Sequence, residues 1–391
     1  MSSEIVTAIT ADGPAGEIAR TLLFPYLNNA AGFLETSYAT AADIDAGLKL
    51  GANYPVGPIA LIGELGPQVV IDGLTELHAK TGDPLHVPSP VLASLASAPA
   101  EDEAAPEFKQ EITVVGVVGT GTLASGIIQV SAAAGYDVVV VGRGQDKLDA
   151  ITAFVTKNYD RLIEKGRATE DDKSNVLDRI TGSTERTALG DADIVIEAIA
   201  EDLELKKALF AELDQIAKPG AILATNTSSL SIAELAAQTG RPDKVVGLHF
   251  FNPATVLKLV EVVSAGTTGA DTTETAKAFA RSVGKHPISA GDRAGFIVNA
   301  LLFPYLNDAV KLSEAGGYSL AEIDDAQKAT GLPLGPFELL DLVGNDVSLA
   351  IQRTLYGAFG HKGWAPAPTL VAKVEAGELG RKTKKGFHDY S

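Results

Sequence analysis

Two residues twelve positions apart have the types needed for proton transfer. His249 ends the apolar run VVGLHF, and Glu261 lies inside the apolar run LKLVEVV. An imidazole changes charge nearest neutral pH, which suits it to take and return a proton. An acid within an apolar strand is costly unless it has a partner. A carboxylate beside the imidazole would fix its tautomer and stabilise the imidazolium as a proton arrives. Of the six His residues, His78, His86, His361 and His388 stand in polar or loop-like contexts, and His286 begins a short apolar run. Only His249 closes a strong apolar strand, and the C-terminal ends of strands are where open α/β sheets place ligands. Taken alone, the pair reads more readily as a structural His at a strand end beside an unrelated surface acid.

A second chemical feature is VVGTGTLASG, from Val117 to Gly126. Gly119 permits a tight turn, Gly121 lets the backbone approach a pyrophosphate, and Ala124 holds the third position, where helix packs on strand. Thr122 and Leu123 open the helix, whose N-terminal N–H groups would face the phosphates. The strand before, the helix after and a second strand beyond make this a dinucleotide-binding turn rather than a chance glycine spacing. At the end of that second strand, VVVVGRG places Gly142 where an acid would hold the ribose hydroxyls of NAD. Arg143 follows, and an Arg without an acid accommodates a 2′-phosphate. The cofactor is therefore read as NAD(H) or NADP(H), leaning to NADP(H), with Arg143 as a plain loop cation the other reading.

These residues need a sheet to hold them. ITVVGVVG, DVVVVG, DIVIEAI, AILATN and VVGLHF are apolar runs suited to buried parallel strands. Helical stretches over 147–164, 203–216 and 232–238 alternate with them, which predicts a doubly wound sheet. Thr113 to Tyr136 holds no charged residue and is long enough to cross a bilayer. It is read instead as strand, glycine turn and packed helix.

At roughly 100–200 residues per domain, 391 residues allow two to four domains. A net charge of −18 leaves no basic footprint for nucleic acid. Any anionic ligand must then be held by local donors. Cys is absent, which excludes disulfides and thiolate metal sites; no metal site is expected. MSSEIVTAIT lacks the basic and apolar regions of a signal peptide. The expectation is a cytoplasmic protein with no membrane partner.

The chain also repeats itself. TLLFPYLNNA begins at Thr21 and ALLFPYLNDA at Ala300, and nine of fourteen positions are identical between 22–35 and 301–314. YPVGP from Tyr54 matches LPLGP from Leu332, and HVPSPVL from His86 matches WAPAPTL from Trp364. The ordered matches span roughly 12–98 and 292–375 and carry helical apolar spacing, which implies two copies of one helical domain. Pro within LLFPYL predicts a kinked helix. SAPAEDEAAPEFKQ, from Ser97 to Gln110, reads as a linker. The expected fold is an α/β Rossmann-type dinucleotide-binding domain plus two all-α domains related by internal duplication. Its expected boundaries are 1–98 for a degenerate helical copy, 99–110 for the linker, 111–291 for the NAD(P)-binding domain and 292–391 for the second helical copy.

VVGVVGTGTLASGI, IEAIAEDLELKKALF, ATNTSSL, GLHFFNPATVLKLVEVV, GDRAGFIVNALLFPYL, LPLGPFELLDLVG and ELGRKTKKGFHDY together resemble the 3-hydroxyacyl-CoA dehydrogenases, including the 3-hydroxybutyryl-CoA type, over 111–391. The resemblance implies reversible hydride transfer between the C3 of a 3-hydroxyacyl-CoA and a nicotinamide. It makes His249 the general base, Glu261 its partner, Ser228 a group near the substrate oxygen, and Asn299 the residue that helps position that oxygen. It places Glu201, Lys206, Asn226 and Asn252 near the cofactor and Lys165 near the CoA moiety. The family usually has Gly where Ala124 stands and Asp or Glu where Gly142 stands. In the first copy GFIVN has become GEIAR, so Arg20 replaces the Asn. In single-copy members this domain forms the dimer interface. The first copy is therefore expected to pack on 292–391 as a built-in partner, with further homo-oligomerisation open. Two other readings remain: a catalytically silent dinucleotide-binding or structural protein, and a dehydrogenase of free 3-hydroxy acids.

Overall fold

The computed structural model describes residues 2–95 and 105–391. The expected linker lies outside them as far as residue 104. The chain forms two compact units, Glu103–Arg293 and the paired stretches Met1–Asp102 and Ala294–Ser391. Among the described residues no helix is long and apolar enough to cross a membrane.

The first stretch holds α1 (Ser2–Thr10), α2 (Pro14–Glu35), α3 (Ala41–Gly51), α4 (Pro58–Leu65) and α5 (Pro67–Thr81). Proline opens α2, α4 and α5, where its missing N–H has no helical partner to lose. Inside α2, the helix continues through Pro25.

The second unit alternates strands and helices. Its strands are β1 (Val114–Val118), β2 (Asp137–Val141), β3 (Ile180–Ser183), β4 (Ile194–Glu197), β5 (Ile222–Thr225), β6 (Val245–Phe250), β7 (Leu259–Ser264) and β8 (His286–Gly291). Its helices are α6 (Thr122–Ala133), α7 (Gln145–Glu164), α8 (Glu170–Asp178), α9 (Leu203–Ile216), α10 (Ile232–Ala236) and α11 (Ala270–Ser282). The strand order is β3-β2-β1-β4-β5-β6-β7-β8. Strands β1 to β6 run parallel, and β7 is antiparallel to β6. Every residue of β4, β5 and β6 is buried, as the continuous apolar runs require of strands covered on both faces. The order reverses direction between β1 and β4, which opens a crevice at their C-terminal ends. The uncharged stretch from Thr113 is β1, the glycine turn and α6. Lys109 and Gln110, assigned to the linker from sequence, bond to this unit through Thr275 Oγ1 and the Gly220 carbonyl.

The chain returns to the first unit as α12 (Val298–Ala315), α13 (Leu320–Ala329), α14 (Pro336–Val343), α15 (Asn345–Phe359) and α16 (Pro368–Glu375). Local bonds recur between the two stretches. Asn28 Nδ2 donates to the Val87 carbonyl at 2.8 Å while its Oδ1 accepts from Ser89 N at 2.8 Å. Asn307 does the same with the Ala365 carbonyl (3.0 Å) and Ala367 N (2.8 Å). Asp45 and Asp324 each accept from the start of the helix that follows the Gly-Pro pair, through Ile59 N and Phe337 N. Among the described residues, the second stretch alone ends in a tail. Asp341 accepts from Phe387 N and His388 N, and Asn345 Nδ2 donates to the Glu378 carbonyl. The corresponding residues of the first stretch are Gly63 and Pro67, neither of which could make those bonds. The two stretches meet through α2 and α12: the Tyr26 and Tyr305 rings lie edge to face at 5.9 Å, and Asn29 Nδ2 donates to the Ala300 carbonyl at 2.9 Å.

Candidate active site

The antiparallel register of β6 and β7 sets His249 opposite Glu261. His249 Nδ1 lies 2.6 Å from Glu261 Oε2, and the glutamate is fully buried. The contact fixes the ring through Nδ1. The Phe251 ring packs at 4.5 Å from the imidazole centroid. Asn226 Oδ1 accepts from Phe250 N at 2.8 Å, tying the end of β5 to the end of β6 beside the histidine. Beyond it, Asn252 is exposed. A buried lysine missed from the sequence braces this loop: Lys285 donates to the carbonyls of Ala254 and Leu257. Burial lowers its pKa, with the Lys258 charge adding.

Two strands away, on β4, lies a second buried network. Lys206, 1% exposed, reaches Glu197 at 2.8 and 2.9 Å and Glu201 Oε2 at 3.1 Å. Glu197 also accepts from Thr225 Oγ1 (2.6 Å) and Ile199 N (2.7 Å). Glu201 Oε1 accepts from Thr227 Oγ1 (2.5 Å), Ser228 N (2.9 Å) and Ser228 Oγ (3.2 Å). Burial pushes the Glu201 carboxyl up, but the Lys206 ammonium and the Thr227 and Ser228 donors outweigh it and hold it below the usual range. The loop that carries Ser228 is pinned at its far end by Asp292, which accepts from Ser231 Oγ, Ile232 N and Ala233 N. Glu197, Thr225, Thr227 and Asp292 were not singled out from sequence. Only Glu197 left a signal there, as an acid ending an apolar strand nine residues before a lysine.

The glycine turn fits a dinucleotide. Gly119 has φ +135°, and a Cβ there would lie 2.4 Å from the Ala198 carbonyl oxygen, so the turn sits directly against the end of β4. Gly121 caps α6, and a Cβ on it would meet nothing within 4 Å. The turn thus has open space in front of the helix N-terminus, which begins at Thr122 and Leu123; Ala124 is buried. At the end of β2, a Cβ on Gly142 would come within 2.8 Å of Thr120 Cγ2 and 3.0 Å of Leu148 Cδ2. The Thr120 methyl occupies the space an acidic side chain at 142 would need. Arg143 is exposed beside it. Lys165 is exposed at the C-terminus of α7.

His249, Glu261, Ser228, Glu201, Lys206, Asn226 and Asn252 all belong to the sheet unit, with Glu261 inside β7 opposite His249 and the others at or beyond the C-terminal ends of strands or in their connections. Asn299 belongs to the other unit, buried in the first turn of α12. Its counterpart Arg20 is committed elsewhere, donating to the Ile9 and Ala11 carbonyls at 2.8 and 2.9 Å.

Comparison with known proteins gives the same picture. The NAD binding domain of 3-hydroxyacyl-CoA dehydrogenase matches residues 114–293. The C-terminal domain of that enzyme matches twice, over 16–107 and 295–390. The 3-hydroxybutyryl-CoA dehydrogenase of Clostridioides difficile is 44% identical over 276 residues, covering 70% of this chain and 98% of its own. The mitochondrial hydroxyacyl-coenzyme A dehydrogenase of Rattus norvegicus is 40% identical over 294 residues, covering 71% of this chain and 90% of its own. The crystal structure of (S)-3-hydroxybutyryl-CoA dehydrogenase from Ralstonia eutropha superposes with a TM-score of 0.71 at 40% identity, covering 72% of this chain and all of that one. With matches over both kinds of domain and relatives of 40–44% identity covering most of their length, the chain belongs to the 3-hydroxyacyl-CoA dehydrogenase family.

Proposed function

We infer that this protein interconverts 3-hydroxyacyl-CoA and 3-ketoacyl-CoA by hydride transfer, with a short-chain substrate such as 3-hydroxybutyryl-CoA. The observation that carries the reading is the 2.6 Å contact between His249 and a fully buried Glu261 at the end of β6. A bound nicotinamide supplies the hydride acceptor or donor. His249 Nε2 takes the hydroxyl proton in the oxidative direction and returns it in the reductive one. Glu261 holds the ring and stabilises its charged form. Ser228 and Asn299 donate toward the substrate oxygen as charge develops there. Asn299 is assigned by its place in the motif ahead of α12. Glu201, Lys206, Asn226 and Asn252 serve the nicotinamide end, and Lys165 serves the CoA moiety. Buried as it is, Lys206 acts through Glu201.

At the adenosine end, we propose that NADP(H) is used at least as well as NAD(H). The absence of an acid at Gly142, the Thr120 methyl in its place and the exposed Arg143 support this. A strong NAD preference in kcat/KM would refute it. The first helical copy is proposed to stand in for a partner subunit; the Tyr26–Tyr305 and Asn29–Ala300 contacts and the double match of the C-terminal domain support that role. The cytoplasmic reading rests on the absence of Cys.

The test is consumption of NADH or NADPH absorbance on adding acetoacetyl-CoA. The wild-type protein should turn over, and His249→Asn should lose roughly 10²–10⁴-fold in kcat. No turnover with either cofactor would favour a catalytically silent protein. Turnover of free acetoacetate in preference to its CoA ester would favour a dehydrogenase of free 3-hydroxy acids.

A further inference from the structure

The Glu197–Lys206–Glu201 network sets two carboxylates against one ammonium. Glu197 and Lys206 have side chains 0% and 1% exposed, so water does not screen them. Glu201 is the open end of the network, with its side chain 38% exposed. The network stands at and just beyond the end of β4, beside the glycine turn: Gly119 abuts the Ala198 carbonyl, the residue after Glu197. In this topology the adenosine lies on the β2 side of the turn, because the ribose-reading position follows β2. The other end of the dinucleotide must then extend toward β4 and β5, over Glu201.

An oxidised nicotinamide ring carries a positive charge and a reduced one is neutral. We propose that Glu197 is a positioning residue that fixes the net charge beneath the nicotinamide at −1 and makes the site favour the oxidised cofactor. Without Glu197, the ammonium of Lys206 would cancel Glu201 and the ring would face a neutral pair. Glu197 touches neither substrate nor cofactor; it works through Lys206, which it holds at two distances below 3 Å. In a dry, low-dielectric setting one unit of charge acts on a nearby charged ring far more strongly than in water. The inference rests on the cofactor reading above.

The experiment is equilibrium titration of the whole chain with NAD+ and NADH, and with NADP+ and NADPH, by calorimetry. In Glu197→Gln the ratio of the oxidised to the reduced dissociation constant should rise about tenfold, equivalent to about 1.4 kcal/mol. The double variant Glu197→Gln/Lys206→Met restores a net charge of −1 from Glu201 alone, and its ratio should return to within about threefold of wild type. A merely structural role would weaken both redox forms alike and make the double variant no better than the single. An unchanged ratio in Glu197→Gln, or a double variant whose ratio departs from wild type more than the single does, would overturn the proposal. If Glu197→Gln does not fold, Lys206→Met decides instead: with two carboxylates and no ammonium its ratio should fall below wild type, and an unchanged ratio would overturn the proposal. Failure of the wild-type chain to bind either redox form would instead remove the cofactor reading beneath it.

Discussion

His249 owes its orientation to a residue across the sheet, and Lys206 owes its burial to two carboxylates. The second case is the harsher test of the site's chemistry. Removing one partner of a buried ion pair leaves an uncompensated charge and costs about 3–5 kcal/mol. Lys206→Met, which strands Glu197 beside Glu201, should therefore lower stability by about that much in urea denaturation. A loss below about 1 kcal/mol would mean that the network is hydrated and weak. At this scale the sequence was readable where spacing is local. The glycine turn is contiguous, and His249 and Glu261 lie on consecutive apolar runs, which suggested the pair although the runs alone favoured a structural histidine; the register of β6 and β7 brings them together. Lys285 and Asp292 were not readable. Their partners, Ala254 and Ile232, are 31 and 60 residues away, and backbone carbonyls and N–H groups leave no mark in a sequence.

Strands and helices were readable where they are buried. The five apolar runs read as strands correspond to β1, β2, β4, β5 and β6, whereas β3 (ITGS) and β8 (HPISAG) are edge strands with few apolar residues. Pro287 is tolerated in β8 because one side of an edge strand needs no ladder bond. Helix α8 escaped notice because Val176 is its only buried residue. Among the helices, α12 carries a titration of its own. Burial pushes the Asp308 carboxyl up to about 7, against the Lys311 ammonium and with help from Asp83. An unfolded Asp titrates near 3.8. Between about pH 4 and 7 the folded chain keeps a proton that the unfolded chain has lost, so this group's contribution to stability falls as pH rises through that window and levels off above it. The counterpart of Asp308 in α2 is Asn29, a neutral amide in the same sequence setting. Asp308→Asn should gain at least about 1.4 kcal/mol at pH 8 and almost nothing near pH 4. Denaturation curves at the two pH values would check it, and an equal gain at both would exclude titration as the cause.

At the scale of the whole chain, the duplication was visible in the sequence as ordered matches, and the bonds of Asn28 and Asn307 give its physical reason: the same asparagine clamps the same turn twice. The repeat showed Arg20 in place of Asn299, but it did not show that Gly63 and Pro67 stand where Asp341 and Asn345 hold the C-terminal tail of the second copy. If the first copy serves as a partner subunit, deleting residues 1–100 uncovers α12 and its Tyr305 ring. The shortened protein should dimerise or aggregate in sedimentation and light scattering. A shortened chain that stays soluble, monomeric and equally stable would contradict that role. The contact between α2 and α12 has one more consequence. In a symmetric dimer any substitution at the interface appears on both faces at once. Here Tyr26 and Tyr305, or Asn29 and Asp308, are encoded separately, so either face can change while the other stays fixed. Selection, or an engineer, can tune one face at a time.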